Sequence, residues 1–162
     1  MNPAQIKFCK KTTNWFLFKL YGLGKLPLSV FTGFRIIELN EEKCVTRVKY
    51  KWLNKNPFRS TYWAVLGMAA ELATGVYALL ATLGKEESVS VILVSTRAEF
   101  LKKATDVSTF TCEDWNAFNA AADKAVKKNE PQTATGAAVG LNKAGETVAN
   151  FEFTWSFKKR ED

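Results

Sequence analysis

Between Arg59 and Lys85 the chain carries a single charged side chain, Glu71, within a run from Tyr62 to Leu83 that is otherwise apolar and rich in Ala and Leu. A carboxylate on such a segment loses hydration, so its proton affinity rises and it costs free energy unless it is paired or hydrogen-bonded. If the run is helical, its neighbours one turn away are Gly67, Met68, Thr74 and Gly75, none of them a cation. Either an Arg or Lys distant in sequence satisfies Glu71, or the side chain faces a wet cavity. The second case is the chemically productive one, a general base or a nucleophile, because perturbed carboxylates concentrate at functional sites.

The polar loop Trp52-Leu53-Asn54-Lys55-Asn56-Pro57-Phe58-Arg59-Ser60-Thr61 feeds this run. Ser60 or Thr61 is suited to cap the helix. Its first free N–H groups, near Tyr62, Trp63 and Val65, would then polarise a carbonyl or stabilise an oxyanion. Asn56 would orient the same carbonyl or a water; Asn54 and Asn56 equally suit ordinary turn chemistry ahead of Pro57.

The sequence of 162 residues contains no histidine, which excludes Ser-His-Asp and Cys-His catalysis and every His-based metal site. Three scattered cysteines, Cys9, Cys44 and Cys112, form no CxxC pair. No metal and no redox cofactor is therefore expected, and the thiols read as small buried side chains in a reducing cytoplasm. Met1 to Gln5 lacks the charged head and apolar run of a secretion signal, so a cytoplasmic location is expected.

Net charge is +7, and it is unevenly placed. Lys7, Lys10, Lys11, Lys19, Lys25 and Arg35 precede the first acid, Glu38, and beyond Arg35 seventeen basic residues meet sixteen acidic ones. A nucleic-acid domain would spread its charge along a groove or a helix face, so no nucleic-acid partner is expected. The leading cations sit among Trp15, Phe16, Phe18, Leu20 and Tyr21, as in an amphipathic packing helix; contact with a membrane surface is the less favoured alternative.

The elements that must position these groups follow from periodicity. Residues 1–24 predict a leading helical segment, with one helix from about Pro3 to Leu23, stopped by Gly22, Gly24 and Pro27. Gly33 to Leu39 and Lys43 to Trp52 predict a hairpin, the second run alternating Cys44, Thr46, Val48, Tyr50 and Trp52 against Val45, Arg47, Lys49 and Lys51. The apolar run is long enough to raise a membrane span, but a mid-span carboxylate costs about 2.5 kcal/mol or more, and the flanking strands alternate as in a soluble sheet. A helix apolar on every side is otherwise a helix inside a protein.

Ser88 to Leu101 and Asp106 to Thr111 predict two more strands. Thr111 and Asp114 suggest a capping box opening a helix to about Lys128. Thr133 to Leu141 and Glu146 to Phe157 predict the last two strands, the final one placing Phe151, Phe153, Trp155 and Phe157 on one face. The tail 158–162 is expected to fray. The sum is an α+β domain spanning 1–162, an antiparallel sheet wrapped around a long central helix, with an N-terminal helix and a surface helix before the last two strands.

Asn56, the helix entering at Tyr62 and the acid at Glu71 resemble the hotdog-fold thioesterase superfamily, in particular relatives of the phenylacetate-pathway acyl-CoA thioesterases. Gly67-Met68-Ala69-Ala70-Glu71-Leu72-Ala73-Thr74-Gly75 is similar to the helix core of those relatives. Ser95 to Ala104 is similar to their following strand, and the likeness covers roughly Leu26 to Lys158. Where the family has His-Gly-Gly, this chain has Tyr62-Trp63-Ala64.

The resemblance implies a hotdog fold and an acyl-CoA or acyl-carrier thioester as substrate. It implies Glu71 as base or nucleophile and Asn56 with the helix N-terminus holding the carbonyl. It further implies Ser60, Thr61, Tyr62 and Trp63 at the substrate, and a site between subunits of a homodimer or tetramer. Lys102 and Lys103 would meet coenzyme A phosphates or be simply solvated. The loss of His-Gly-Gly points to the alternative, a non-catalytic hotdog that binds an acyl chain or lipid.

Overall fold

A computed structural model describes residues 1–160. Six strands, β1 (Arg35–Leu39), β2 (Cys44–Lys49), β3 (Val89–Phe100), β4 (Val107–Cys112), β5 (Gln132–Leu141) and β6 (Thr147–Lys159), form one antiparallel sheet in the order β1-β2-β4-β5-β6-β3. Its inner face closes around α4 (Trp63–Thr82), which touches all six strands, and α5 (Trp115–Lys128) packs beside it against β5 and β6. This is the hotdog architecture, with the apolar helix as the rod.

α4 is the one helix among the described residues long and apolar enough to cross a membrane, and 67% of its most apolar window is buried within the protein itself. Polar stitches fix its rotation. Thr46 Oγ1 donates to Ala69 O at 2.6 Å, and Trp155 Nε1 donates to Thr74 Oγ1 at 3.1 Å. The Tyr77 hydroxyl donates to Asn40 O at 2.7 Å. Each satisfies a polar atom that would otherwise be orphaned in the core.

The alternation read in β6 is present, with Phe151, Phe153, Trp155 and Phe157 all buried. The small residues of β5 have a steric reason. A Cβ on Gly140 would stand 2.3 Å from Phe110 Cε1, and one on Gly136 2.5 Å from Phe118 Cζ. The sheet thus leaves its inner face bare where two buried rings lie flat against it.

The structure corrects several expectations. The leading helix is two helices, α1 (Pro3–Thr13) and α2 (Trp15–Lys25), because Asn14 stops the first and caps the second, its Oδ1 accepting from Phe16 N and Leu17 N. Pro27 does not only break the chain: it opens a third helix, α3 (Pro27–Thr32), from the N1 position that proline tolerates. The capping box expected at Thr111 is absent, since Asp114 Oδ2 accepts instead from Ala137 N on β5. β2 ends at Lys49, leaving Trp52 in a single 3-10 turn (Trp52–Asn54) and largely exposed. Lys158 and Lys159 do not fray but extend β6 beside β3; residues 161 and 162 of the expected tail lie outside the described residues.

α1 is anchored on the far end of α4. Asn2 and Gln5 form a reciprocal capping box, and the same side chains donate onward, Asn2 Nδ2 to Leu83 O at 2.9 Å and Gln5 Nε2 to Leu80 O at 3.1 Å. Both are carbonyls at the C-terminal end of α4, where the helix ladder runs out; Leu80 O also accepts from Leu83 N. α2 then crosses back over the open side of the rod.

Candidate functional site

The loop ahead of α4 is built by its asparagines. Asn54 is fully buried; its Nδ2 donates to Thr32 O and Lys49 O, both at 2.9 Å, and its backbone carbonyl accepts from Tyr62 N at 2.6 Å. It ties α3, the end of β2 and the entry to α4 together, a larger role than turn chemistry. Asn56 Oδ1 accepts from Phe58 N at 3.0 Å, Ser60 N at 3.2 Å and Ser60 Oγ at 3.3 Å. That geometry holds Arg59 at φ 58, left-handed backbone that a non-glycine residue adopts only under constraint. The Asn56 amide nitrogen has no acceptor among the described residues.

Neither Ser60 nor Thr61 caps α4. Ser60 Oγ is engaged by Asn56, Thr61 Oγ1 donates to Ala104 O at 3.0 Å, and the N-cap is Tyr62, which has no capping side chain. The consequence suits a site: the N–H groups of Trp63 and Ala64 keep their hydrogens free.

Asn56, Ser60, Thr61, Trp63, Lys102 and Lys103 line one open cavity of about 480 Å³, together with apolar Leu66, Phe100 and Leu101. Six of the eight residues singled out in the sequence therefore meet, and Tyr62 stands beside them with its ring 6.0 Å from that of Trp63. Lys102 is not a free cation, because its ammonium is held by Glu146. That hydrogen bond, with a second from Asn142, holds the Glu146 carboxyl below its usual range.

Glu71 is elsewhere. It lines a second cavity, of about 290 Å³ and mostly apolar, between α4 on one side and α1 and α2 on the other. Phe8, Lys11, Leu17, Tyr21, Gly75 and Trp155 contribute to its wall. No hydrogen-bond donor or cation contacts the carboxylate among the described residues, and burial alone raises its pKa above the ordinary carboxyl value. Glu71 lies eight residues beyond Trp63 on α4, so the helix start of the same chain is roughly 12 Å away along the axis. Within one chain, the acid and the carbonyl cradle do not meet.

Gly75, named in the sequence only as a neighbour of Glu71, borders the carboxylate directly. A Cβ there would stand 2.8 Å from Glu71 Oε1 and 3.0 Å from the Trp155 ring, so the missing side chain is the space the carboxylate occupies. A glycine one turn after the lone acid of an apolar run was the available signal. The three thiols are no part of either cavity. All are buried and unpaired, and burial pushes Cys9 and Cys44 up and Cys112 up to about 12, leaving them protonated and poor nucleophiles.

A six-stranded antiparallel sheet rolled around one helix, with openings at the helix start and along its flank, defines an α+β protein of the hotdog type. The chain belongs to the family described as a domain of unknown function, DUF4442, which it matches over residues 17–157. No curated protein matches it in sequence.

Among solved structures it is similar to a protein of unknown function from Chlorobaculum tepidum, with a TM-score of 0.79 and 16% identity over 97% of this chain and 98% of that one. A Pseudomonas aeruginosa protein described as a probable thioesterase gives a TM-score of 0.76 and 17% identity, over 90% of this chain and 95% of that one. A thioesterase from Haemophilus influenzae gives 0.63 and 14%, over 86% and 88%.

Proposed function

We propose that the protein is a thioesterase acting on an acyl-CoA or acyl-carrier thioester. The observation that carries this reading is Glu71, a carboxylate without a partner among the described residues, in the wall of an apolar cavity in a hotdog fold. A carboxylate partly withdrawn from water and above its ordinary pKa is a stronger base than its type implies, and an apolar recess suits an acyl chain. The likeness of Gly67 to Gly75 to the phenylacetate-pathway relatives supports the thioester as substrate.

The roughly 12 Å between Glu71 and its own helix start sets a condition: the acid and the carbonyl cradle act on one thioester only if they come from different protomers. A homodimer is therefore part of the proposal. β3 supports it, being an edge strand whose Ile92, Leu93 and Val94 are exposed and whose outer backbone groups are open for pairing with a second copy. In that assembly the Asn56 amide and the Trp63 and Ala64 N–H groups would receive the developing oxyanion while Glu71 of the other protomer activates water or attacks the carbonyl. Lys103 is the cation available for a carrier phosphate. Three free buried thiols fit a reducing compartment such as the cytoplasm.

The separation of the two cavities, with Tyr62-Trp63-Ala64 at the helix start, favours a second reading: an acyl or lipid carrier without turnover. An acyl-CoA series assayed for thiol release distinguishes the two. For a thioesterase, the native chain releases thiol, and Glu71→Gln loses at least about a hundredfold of the rate, the lower range for a positioned acid or base, with unchanged circular dichroism. Equal rates in both proteins reject Glu71 as the catalyst. Binding of the acyl chain without release by the native chain establishes the carrier.

A further inference from the structure

α2 is apolar nearly all round, yet only Phe18 and Gly22, four residues apart, are buried, while Leu17 and Tyr21 border the recess at Glu71. On the opposite side Phe16, Leu20 and Leu23, at spacings of four and three, form a stripe whose side chains are 60–65% exposed. α3 packs directly against α2 where Gly22 admits Ser29, the position of a Gly22 Cβ lying 2.6 Å from Ser29 Oγ. It adds Leu28 and Phe31, also more than half exposed. Large apolar side chains grouped in this way on two adjoining helices are more than scattered surface hydrophobes.

The helical segment that carries this stripe has charge of one sign. Lys7, Lys10, Lys11, Lys19 and Lys25 are exposed, and none has an acidic partner among the described residues. No acid occurs before Glu38. Lys19 lies with its ammonium 5.4 Å from the centre of the Trp15 ring, and both are exposed.

We propose that α2 and α3 dock the protein on an anionic lipid surface, with Phe16, Leu20, Leu23, Leu28 and Phe31 entering the boundary between headgroups and acyl chains and Lys19 and Lys25 of α2, joined by exposed lysines of α1, meeting the headgroup phosphates and carboxylates. An apolar stripe flanked by lysines and an interfacial Trp is the composition of a helix lying in the membrane plane. The same charge argues against a second copy on this face, since pairing two such surfaces would bring Lys19 and Lys25 of each copy together with no acid on α2 or α3 between them. It also argues against a neutral apolar partner, which would leave the cations without counter-charge. The inference stands apart from the thioesterase reading, because it uses neither Glu71 nor turnover.

The test is co-sedimentation of the full chain with vesicles of phosphatidylcholine alone and of phosphatidylcholine mixed with phosphatidylserine, beside size-exclusion runs at several concentrations. Each lysine near an anionic surface contributes roughly fivefold in partitioning, so the mixed vesicles should bind the chain at least about tenfold better than the neutral ones. Molar salt should release it as screening shortens to about 3 Å. The triple variant Phe16→Ser, Leu20→Ser, Leu23→Ser changes only exposed side chains and should keep its melting temperature while losing at least about tenfold of its vesicle binding. Binding equal on both vesicle types, no binding by the native chain, or a triple variant that binds like the native chain overturns the proposal. So does a concentration-dependent dimer that the triple variant abolishes, which would give this face to a second copy.

Discussion

Glu71 makes a quantitative claim about stability. Its pKa in the folded chain lies above the ordinary value of 4.5, because burial disfavours the charged form and nothing offsets it. Between those two values the folded protein holds a proton that the unfolded chain has released. Stability therefore falls as pH rises through that window, at a limiting slope of about 1.4 kcal/mol per pH unit for one proton. Above the raised value the loss is complete and the curve flattens; below the unfolded value both states are neutral.

Glu71→Gln replaces the neutral acid by an isostere that cannot ionise. Native and variant proteins should be equally stable at about pH 4, and the variant should pull ahead as pH rises towards neutrality. For a chain of this size 1 kcal/mol moves the melting temperature by about 2–4 °C, so the steepest part of the gap should open by about 3–6 °C per pH unit. Glu146 titrates in the opposite sense, since its lowered pKa contributes stability above the unfolded value and loses it as pH falls, but it is common to both proteins and cancels in the difference. Circular-dichroism melts from about pH 4 to about pH 8 measure the gap. A gap that stays constant across that range means Glu71 titrates as in water. A native chain that gains on the variant with rising pH means a donor has found the carboxylate. Either result refutes the half-buried, unpartnered setting on which the site rests.

Two further outcomes test the packing. Gly140→Ala drives a Cβ into the buried Phe110 ring and should cost roughly 2 kcal/mol, whereas Gly24→Ala, with nothing within 4 Å of its Cβ, should stabilise α2 by up to about 1 kcal/mol; denaturant melts read both. A thiol reagent such as Ellman's should modify almost none of Cys9, Cys44 and Cys112 in the native chain and all three after denaturation; rapid native reaction would contradict their burial, and a low background keeps thiol release legible as an activity assay.

Much of the architecture was legible because its signals are local. The alternation of Phe151 to Phe157 marks β6 without any partner, and a long run with one charge marks the rod wherever it lies. The breaks within the leading segment were harder. Asn14 sits in an apolar neighbourhood and acts through its own side chain as a cap, and Pro27 starts a helix as readily as it ends one. β3 shows a different limit: its strand character is read from the sequence, but not that it forms an edge whose residues from Ile92 onward are exposed on both faces.

The candidate site divides in the same way. Asn56 to Trp63 is one loop and one helix start, so the sequence kept its parts together. Lys102 and Lys103 join them because β3 returns past the start of α4. The cavity at Glu71 is walled by Phe8, Lys11, Leu17 and Tyr21, some fifty residues away, and no spacing rule reveals that. The sequence flagged the acid, and its spacing from the helix start follows from helix geometry; only the tertiary contacts show the cavity that surrounds it.

α2 has no idle face. Phe18 and Gly22 point inward, Leu17 and Tyr21 roof the recess holding Glu71, and Phe16, Leu20 and Leu23 look outward. One eleven-residue rod is thus both ceiling and hull. Any guest that tilts it from within must alter how it sits on whatever lies outside, and thermodynamic reciprocity makes the two influences equal in size. Cargo and berth would then report on each other with no separate relay between them.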